Sequence, residues 1–571
     1  MRVPRPSPGA LLGGVALLLL PLWAAGAGDG RFLGRWSLDL AGHLWTAWNG
    51  AQGDPTRSAL AAWPEGVDLM PILGGWADVL LMAGLVRLGV PLLAAWNLVV
   101  GALFALAGFG GATLARAFGA GRLGAVTAGL LLQLDGWTLF HMDGGRTEQA
   151  ALGAVAFALA GALKCWREPG WGSVVWTGLW GASVVWLSWE HGVWLAVGMA
   201  ALLPALLREG VPAGAVRRWA AAAGVTALAA GPWAALFLVR ALQVRAAGEG
   251  MDTFEMAQEN STPILGWLLG GSVARPGVAL PLALLAVPWT TQQRDRGIWV
   301  GVCLLLLATL ALAAGPDPGL WTVGDLGVPG PYRVFQATPV LGWFHTPQRL
   351  LAAWSLAVPV ACGLAVSAAH RKAGRGPAVV AGLLLLAVAA DHGHRSGLLP
   401  LTARTLAADD VHRALSSADG PGAVLDLPAV DPGEDSVAFQ TAQIFHGRAI
   451  PYQATLPMLT PARKENVVSA SAIAEALSLG SDVPTGAALD ADLAGLRRQG
   501  VRFLVLHERF IRSEARQSLV VALRDAVGAP VARAGGRSAW DLGPTPAGPP
   551  AARGEDPRVR GQGAPPGGAV R

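Results

Sequence analysis

Long apolar runs and short polar segments alternate along the first 390 residues of the chain. A helix needs roughly 20 apolar residues to cross a hydrocarbon core of about 30 Å. The pattern predicts eleven membrane-spanning helices, near residues 10–27, 91–114, 123–140, 149–164, 172–188, 191–207, 219–240, 276–290, 297–314, 349–369 and 377–391. We therefore expect a polytopic α-helical membrane protein.

The charges between these spans predict their orientation, because cytoplasmic loops carry an excess of Lys and Arg. With the N-terminus inside, every inner loop is short and basic, and the alternating loops hold most acids and histidines. The basic residues of the inner loops are Arg116 and Arg122, Lys164 and Arg167, Arg208, Arg217 and Arg218, Arg294 and Arg296, and Arg371, Lys372 and Arg375.

Two apolar segments allow more than one interpretation. The first, residues 10–27, follows Arg2 and Arg5 and ends in Ala-Gly-Ala, so it resembles a cleavable signal peptide. Because ten further spans follow, we favour an uncleaved first helix. The second, 73–89, would upset the loop alternation if it crossed, so we expect it to lie in the outer interface, with Asp78 and Arg87 as polar breaks.

The composition becomes that of a soluble domain from about residue 396. Residues 423–427 and 501–506 have the pattern of buried strands, and 490–499 that of an amphipathic helix closed by Gly500. Helix followed by strand is typical of α/β domains. We predict a membrane domain over 1–395 with an outer loop at 28–90, an extracytoplasmic α/β domain over 396–545, and a disordered Pro/Gly/Arg tail over 546–571.

Composition excludes several protein classes. Charged residues make up 14% and hydrophobic residues 53% of the chain, whereas soluble domains average about 25% charged residues. The net charge of +5 is accounted for by the inner loops, so no nucleic-acid partner is expected. The three cysteines have no metal or disulfide spacing. Motifs of serine hydrolases, P-loop ATPases and zincins are absent from the sequence.

Candidate chemistry begins in the outer loop after the first span. Asp39 and His43 are four residues apart and therefore share a face of a helix. A carboxylate there can serve as general base for an acceptor hydroxyl. The alternative is a solvated Asp that caps an interfacial helix.

A second polar cluster, residues 141–149, holds His141, Asp143, Arg146 and Glu148. Its Arg suits phosphate, and its acids suit a divalent cation. The alternative is a charged turn between helix ends, with Thr147 as N-cap. We expect this cluster to meet the Asp39 segment at one membrane surface.

Further candidates lie at the outer ends of other spans. Asp135 is an acid inside an apolar run, which usually faces a cavity or another polar group. Glu190 and His191 occupy a tight turn between two spans, where a functional and a structural role are equally compatible. Arg333, His345 and Arg349 precede a late span on its outer side, and a lipid phosphate or simple interfacial anchoring explains the two cations.

The order of these segments resembles the bacterial membrane proteins with the GT-C glycosyltransferase fold, especially the branch that includes YfhO-like proteins. The resemblance covers nearly the whole chain and depends on the order of weak motifs. These are the loop with Asp39, Pro64-Glu-Gly-Val-Asp-Leu-Met70, Ala94-Ala-Trp-Asn97, residues 114–122, His141 with 145–148, Phe344-His-Thr-Pro-Gln-Arg349, Val424-Leu-Asp-Leu-Pro428 and His446-Gly-Arg448.

The resemblance implies transfer of a sugar from a polyprenyl-phosphate carrier to a glycan, lipid or protein acceptor on the outer face of the bacterial inner membrane. Asp39 would be the catalytic base, with His43 beside it. Asp143, Arg146, Glu148 and Arg349 would form the donor-phosphate shell, and Asp143 and Glu148 would hold a divalent cation, Mg or Mn. Asp135, His141, Glu190, His191, Arg333 and His345 are secondary candidates.

Two departures from the family pattern keep other hypotheses open. The first loop has one Asp where many members have an acidic pair, and the second has Gly-Arg where relatives often have Gly-His. A carrier or flippase for a lipid-linked glycan is one alternative, although it would need a polar track to the cytoplasmic half. A non-catalytic scaffold whose tail domain binds envelope proteins is the other.

Overall fold

The structure is a computed structural model of the whole chain. It describes residues 31–61, 63, 66–69, 75–208, 210–246, 257–265, 302–303, 306–319, 322–337, 346–399, 401–428, 434–451, 467–468, 470–479 and 481–544. These residues divide into two compact units. The first lies within Met1–Ala408, Asp431–Phe445 and Gln453–Arg463, and the second within Asp409–Val430, His446–Tyr452 and Lys464–Arg571.

The first unit is mostly helical. Its elements up to residue 246 are β1 (Arg31–Leu33), α1 (Leu38–Gln52), β2 (Arg57–Ser58), β3 (Val67–Asp68), α2 (Ala77–Arg87), α3 (Leu92–Ala117), α4 (Arg122–Gln133), α5 (Gly136–Asp143), α6 (Thr147–Ala150), α7 (Leu152–Arg167), α8 (Trp171–Leu187), α9 (Trp189–Arg208) and α10 (Ala215–Ala246). They are followed by α11 (Tyr332–Ala337), a 3₁₀ turn (Pro347–Leu351), α12 (Ala352–Ala373), α13 (Arg375–Arg395) and β4 (Ala403–Thr405).

Six helical stretches among the described residues are long and apolar enough to cross a membrane. They are Leu92–Ala117, Arg122–Asp143, Thr147–Arg167, Ala215–Arg240, Pro347–Ala373 and Arg375–Arg395. The predicted spans at 10–27 and 276–290 lie outside the described residues. The total of eleven spans stays a prediction.

The predicted helix at 123–140 is two helices, because Asp135 interrupts it. The Asp135 carboxylate accepts a hydrogen bond of 2.9 Å from the Trp137 backbone N–H and so caps α5. The interfacial segment predicted at 73–89 contains α2, which has 11 residues. At 1.5 Å per residue it is about 16 Å long, too short to cross the hydrocarbon core.

Small residues determine how closely the long helices pack. A side chain at Gly153 on α7 would collide with the backbone of Leu106 on α3, and one at Gly110 would collide with Gly153. Glycine at such crossings lets helix backbones approach without side chains between them. The contact fixes the start of α7, and with it the α6 segment that carries Glu148.

Strand β1 connects the start of α1 to the chain that follows α13. It pairs antiparallel with β4, with Phe32 opposite Arg404. The Asn97 side chain on α3 accepts from the Leu33 N–H at 2.8 Å and donates to the Arg31 carbonyl at 2.8 Å. These bonds hold the N-terminal turn of α1 over the ends of the long helices.

The second unit contains a four-stranded sheet in the order β5-β6-β8-β7. The remaining elements of the chain are α14 (Asp410–Ser417), β5 (Ala423–Leu427), α15 (Glu434–His446), α16 (Ala472–Leu479), α17 (Ala487–Arg498), β6 (Val501–His507), a 3₁₀ turn (Glu508–Phe510), α18 (Ser513–Val527), β7 (Ala532–Ala534) and β8 (Arg537–Asp541). Of these, α15 belongs to the first unit as far as Phe445. Strands β5 and β6 are parallel, and β6, β8 and β7 are antiparallel. Strands β5 and β6 and helix α17 correspond to the two strands predicted at 423–427 and 501–506 and to the helix predicted at 490–499. The tail predicted over 546–571 falls outside the described residues.

Candidate active site

The Asp39 segment and the second polar cluster are in contact. Ser37 caps α1 by accepting a hydrogen bond from the Leu40 N–H at 3.1 Å, and its hydroxyl donates to the Gly144 carbonyl at 2.6 Å. Gly145 has φ +74°, and a side chain there would collide with Leu40. A glycine is therefore needed for the turn after α5 to lie against the first turn of α1.

Asp39 and Arg146 form the accessible part of this contact. Arg146 Nε donates to Asp39 Oδ2 at 2.6 Å, and the two side chains are 35% and 34% exposed. The carboxylates of Asp78, Asp143, Glu148 and Glu190 are 10% exposed or less. Among these five acids of the cluster, Asp39 is the one that a substrate in solvent can reach.

His43 lies between two buried carboxylates. Its Nδ1 is 3.2 Å from Asp78 Oδ2 and its Nε2 is 3.2 Å from Glu148 Oε2. Burial opposes protonation of the ring, but the two carboxylates outweigh it and hold the pKa of His43 well above its ordinary value. His43 is therefore an imidazolium that neutralises part of the charge of both acids. The prediction that Asp39 and His43 share a helix face agrees with their contacts to Arg146 and Glu148.

Asp143 has a separate set of contacts. Its Oδ2 lies 3.2 Å from Arg35 Nη2, and the Thr402 hydroxyl donates to Oδ1. The Arg35 N–H also donates to the Asp143 carbonyl at 2.5 Å. Asp143 thus joins the segment before α1 to the segment before β4, which is a structural use of the carboxylate.

Arg349 and Glu190 form a second ion pair, buried beside the first cluster. Arg349 Nη1 donates to Glu190 Oε1 at 2.6 Å, and Gln149 Nε2 donates to Glu190 Oε2 at 2.7 Å. The Arg349 guanidinium is also within electrostatic range of Glu148 and Asp39. Three charged side chains therefore lie near one another: Glu148 of α6, Glu190 at the start of α9, and Arg349 of the 3₁₀ turn before α12.

Three predicted residues have other surroundings, and one is not described. Asp135 caps α5, as stated above, and is 5% exposed. The His141 ring is buried with its centroid 4.3 Å from the Trp137 ring. Arg333 pairs at 2.5 Å with Asp317 in its own loop. His345 lies outside the described residues.

No role was predicted for Asp78 or Gln149 as a contact of the charged side chains. Asp78 was expected only as a polar break in an interfacial helix, but it is 2% exposed and contacts His43. Thr147 does not cap its helix, because the N-cap residue is Arg146, and the Thr147 hydroxyl donates to Asp78 instead. The contact between Asp78 and His43 joins two separate segments, so no local sequence pattern predicts it.

The predicted cation site does not fit the observed contacts. The oxygens of Asp143 contact Arg35 and Thr402, whereas Glu148 faces His43. Within the described ranges, no group of three or more His, Cys, Asp and Glu side chains is arranged to hold a metal ion.

An apolar cavity of about 80 Å³ has His191, the residue after Glu190, in its wall. It is partly open and is walled by side chains of α3, α7, α9 and α12, among them Leu114, Val155, Trp194 and Leu356. His191 is the one ionisable side chain in its wall.

No family model matches the sequence, and no curated protein matches it. Several solved structures match the chain in fold. An arabinofuranosyltransferase from mycobacteria, AftD, has a TM-score of 0.58 at 17% identity over 93% of this chain, which spans 41% of AftD. ArnT from Cupriavidus metallidurans, bound to undecaprenyl phosphate, has a TM-score of 0.49 at 16% identity over 95% of this chain and 100% of ArnT.

The archaeal oligosaccharyltransferase AglB from Archaeoglobus fulgidus, in complex with an inhibitory peptide and a dolichol-phosphate, has a TM-score of 0.48 at 12% identity. The match covers 88% of this chain and 70% of the AglB chain. At such identities only the fold can be compared, and the likeness to AftD carries that comparison. The chain has the GT-C fold of membrane glycosyltransferases, whereas its place in the YfhO-like branch stays a prediction.

Proposed function

We propose that this protein is an inverting glycosyltransferase of the bacterial inner membrane. It transfers a sugar from a polyprenyl-phosphate donor to a glycan, lipid or protein acceptor on the outer face. The fold likeness to an arabinofuranosyltransferase supports the general class. The chain spans less than half of that protein, so the donor and acceptor of AftD are not carried over.

The observation that carries the proposal is the Asp39–Arg146 pair. It is the accessible end of a cluster whose other acids are buried and compensated by cations. A general base must reach the proton that it removes, and a phosphate contact must reach the donor. Asp39 and Arg146 meet both requirements within 2.6 Å of each other.

The proposed reaction is one displacement. Asp39 accepts the proton of the acceptor hydroxyl, and the oxygen attacks the anomeric carbon of the donor sugar. The bond from that carbon to the phosphate oxygen breaks, and the phosphate leaves with the electron pair. Guanidinium groups stabilise the charge that develops on the leaving phosphate. Arg146 and Arg349 supply them from two sides of the cluster.

The buried residues hold these groups in position. The His43 imidazolium ties α1 to α2 and to the α6 segment through Asp78 and Glu148. Glu190 holds the Arg349 guanidinium in one orientation until the donor binds. Such fixed side chains lower the cost of arranging charges during reaction.

The proposal includes a topology. Eleven spans with the N-terminus in the cytoplasm would put the Asp39 loop, the second cluster and the domain from residue 396 outside the membrane, in agreement with the basic inner loops. The C-terminal domain would then be extracytoplasmic and available to an acceptor or a protein.

The test is an envelope-glycan profile by mass spectrometry. A deletion strain is complemented with wild type, with Asp39→Asn or with Asp54→Asn, at matched membrane levels. Asp54 is an acid of the same loop whose side chain bonds only the local Thr56 among the described residues. We expect a sugar to disappear on deletion and to return with wild type and Asp54→Asn but not with Asp39→Asn.

Two other results would reject the assignment. If Asp39→Asn restores the glycan fully, Asp39 is a structural loop residue. If deletion changes no glycan, the carrier and scaffold hypotheses are favoured, and they differ in whether removal of residues 396–571 abolishes function.

A further inference from the structure

Asp39 and Arg146 occupy each other's binding atoms in this structure. Arg146 Nε donates to Asp39 Oδ2 at 2.6 Å, and in the described part of the chain the Arg146 side chain has no other hydrogen-bond partner. The carboxylate oxygen that accepts this bond cannot at the same time take a proton from a substrate hydroxyl. The guanidinium, for its part, is neutralised by the carboxylate and attracts a phosphate less strongly. The pair therefore holds both groups in an arrangement that is not ready for the proposed reaction.

Only the two side chains have to move to separate this pair. The Arg146 N–H donates to the His141 carbonyl at 2.8 Å, and the Arg146 carbonyl accepts from the N–H groups of Gln149 and Ala150 at 3.0 and 3.1 Å. Asp39 lies in the capped first turn of α1. Both backbones are thus fixed, whereas both side chains are about one-third exposed and have room to rotate in solvent.

The other cations of the cluster are held more firmly than Arg146. Arg35 and Arg349 pair with acids that are 4% and 3% exposed, and His43 lies between two buried carboxylates. Separation of such a pair leaves a buried charge without solvation, whereas water solvates both members of an exposed pair. Of these four cations, Arg146 is therefore the one that an incoming anion can take from its carboxylate most easily.

Asp39 keeps a favourable environment when Arg146 leaves it. Its carboxylate belongs to the first turn of a helix of 15 residues, where the helix dipole stabilises negative charge. About one third of the side chain is also exposed to water. The released carboxylate can then accept a proton from a substrate hydroxyl.

A phosphate ester is an anion well suited to take Arg146. The planar guanidinium binds two phosphate oxygens through parallel N–H groups, whereas it uses Nε alone in the pair with Asp39. A phosphate monoester carries about −1.5 to −2 charges, against −1 for a carboxylate. In the proposed reaction a monoester forms as the phosphate leaves the sugar, so the attraction for Arg146 increases as the bond breaks.

We propose that the Asp39–Arg146 pair masks the base until a phosphate ester binds. The phosphate takes the Arg146 guanidinium, and Asp39 is released to receive the proton of the acceptor substrate. The exchange breaks and forms hydrogen bonds only, and it requires the donor to bind before the base can act. The inference deepens the proposed function and rests on it for the class of donor, but the masking itself comes from the contact between the two side chains.

The test is a double-mutant cycle on the binding of farnesyl phosphate to the full-length protein in detergent. Because Asp39 competes for Arg146, Asp39→Asn should bind farnesyl phosphate about threefold more tightly than wild type, the size expected for an exposed ion pair. Arg146→Met should bind it more weakly than wild type. In the Arg146→Met background no guanidinium remains to be released, so Asp39→Asn should leave the affinity unchanged.

Two results would overturn the proposal. The first is an unchanged or weaker affinity of Asp39→Asn for farnesyl phosphate. The second is equal tightening by Asp39→Asn in both backgrounds, because that result would mean that Asp39 acts only by charge repulsion. Asp39→Ala provides the same comparison if Asp39→Asn does not fold.

Two probes and one variant serve as controls. Farnesol lacks the phosphate and should bind wild type, both single variants and the double variant equally. Asp54→Asn removes an exposed carboxylate of the same loop and should not change the affinity for farnesyl phosphate. Inorganic phosphate in the same cycle distinguishes the source of the anion. If it reproduces the tightening, the phosphate alone separates the pair, and if only farnesyl phosphate does, a lipid-linked phosphate is required; both results support the masking.

The result is separable from the glycan experiment. Tightening by Asp39→Asn that depends on Arg146, together with an unchanged envelope glycan in the deletion strain, supports this inference and rejects the transferase. A lost glycan, together with an Asp39→Asn variant that binds farnesyl phosphate no more tightly than wild type, supports the transferase and rejects this inference.

Discussion

Arg146 Nε donates a hydrogen bond of 2.6 Å to Asp39 Oδ2 across 107 residues of sequence. The bond joins the first turn of α1 to the segment that connects α5 and α6. Both side chains remain about one-third exposed. An exposed ion pair contributes about 1 kcal/mol or less to the free energy of unfolding. A role in binding a ligand therefore explains the pair better than a role in stabilising the fold.

Arg146→Met should lower transfer activity much more than it lowers stability. The change removes a planar cation that can bind phosphate through two N–H groups, and loss of such a contact typically costs about 10²-fold in rate. The melting temperature should shift by only a few degrees, because the pair is exposed. The measurement compares glycan transfer and thermal unfolding for Arg146→Met and for Arg57→Met, which removes an exposed cation of strand β2. Equal activity in the two variants would contradict the role of Arg146.

The sequence predicts those parts of this site that depend on residues close together in the chain, and not those that depend on contacts between distant residues. The i, i+4 spacing of Asp39 and His43 and the acids and Arg of 141–149 are local patterns, and the two segments were expected to meet. The connection through Asp78 depends on how α2 packs against α1, which no local pattern encodes. The same holds for Glu190 and Arg349, because their residues are 159 apart. The six described helices of membrane-spanning length and the strands β5 and β6 were predictable, because each depends on the hydrophobic pattern of contiguous residues.

His43→Leu should destabilise the first unit strongly. It would leave the buried carboxylates of Asp78 and Glu148 without their cation, and breaking a buried pair in this way typically costs about 3–5 kcal/mol. The triple variant with Asp78→Asn and Glu148→Gln removes the unpaired charges and should recover part of the loss. Thermal unfolding of the purified protein measures both. A triple variant less stable than His43→Leu alone would show that the charges are not the cause.

Gly153→Ala should impair folding, whereas Gly224→Ala should not. A side chain at Gly153 collides with the Leu106 backbone, which cannot move without shifting α3. Gly224 lies in α10 and has open space around it, so alanine there should be neutral or stabilising by up to about 1 kcal/mol. Membrane levels and melting temperatures of the two variants provide the comparison. Similar behaviour of both would mean that the α3–α7 approach is not as close as observed.

Acidification should destabilise the second unit between pH 6.5 and 4. Burial lowers the pKa of His446 to about 4, against the opposing effect of Asp426 and with support from His412 and Arg448. Burial also lowers the pKa of His412. Because the folded state binds fewer protons than the unfolded state, the stability is fully present above the unfolded pKa of about 6.5 and is lost as the pH falls toward the folded value.

For His446 alone the shift corresponds to about 3 kcal/mol at pH 4 or below. Hydrogen exchange of β5 and β6 in the intact protein, corrected for intrinsic rates, should show the loss as faster opening below pH 6.5. His446→Asn removes the titrating group and should flatten the pH dependence, leaving only the part due to His412. If wild type and His446→Asn lose protection equally between pH 6.5 and 4, the burial of a neutral His446 is not what stabilises this unit.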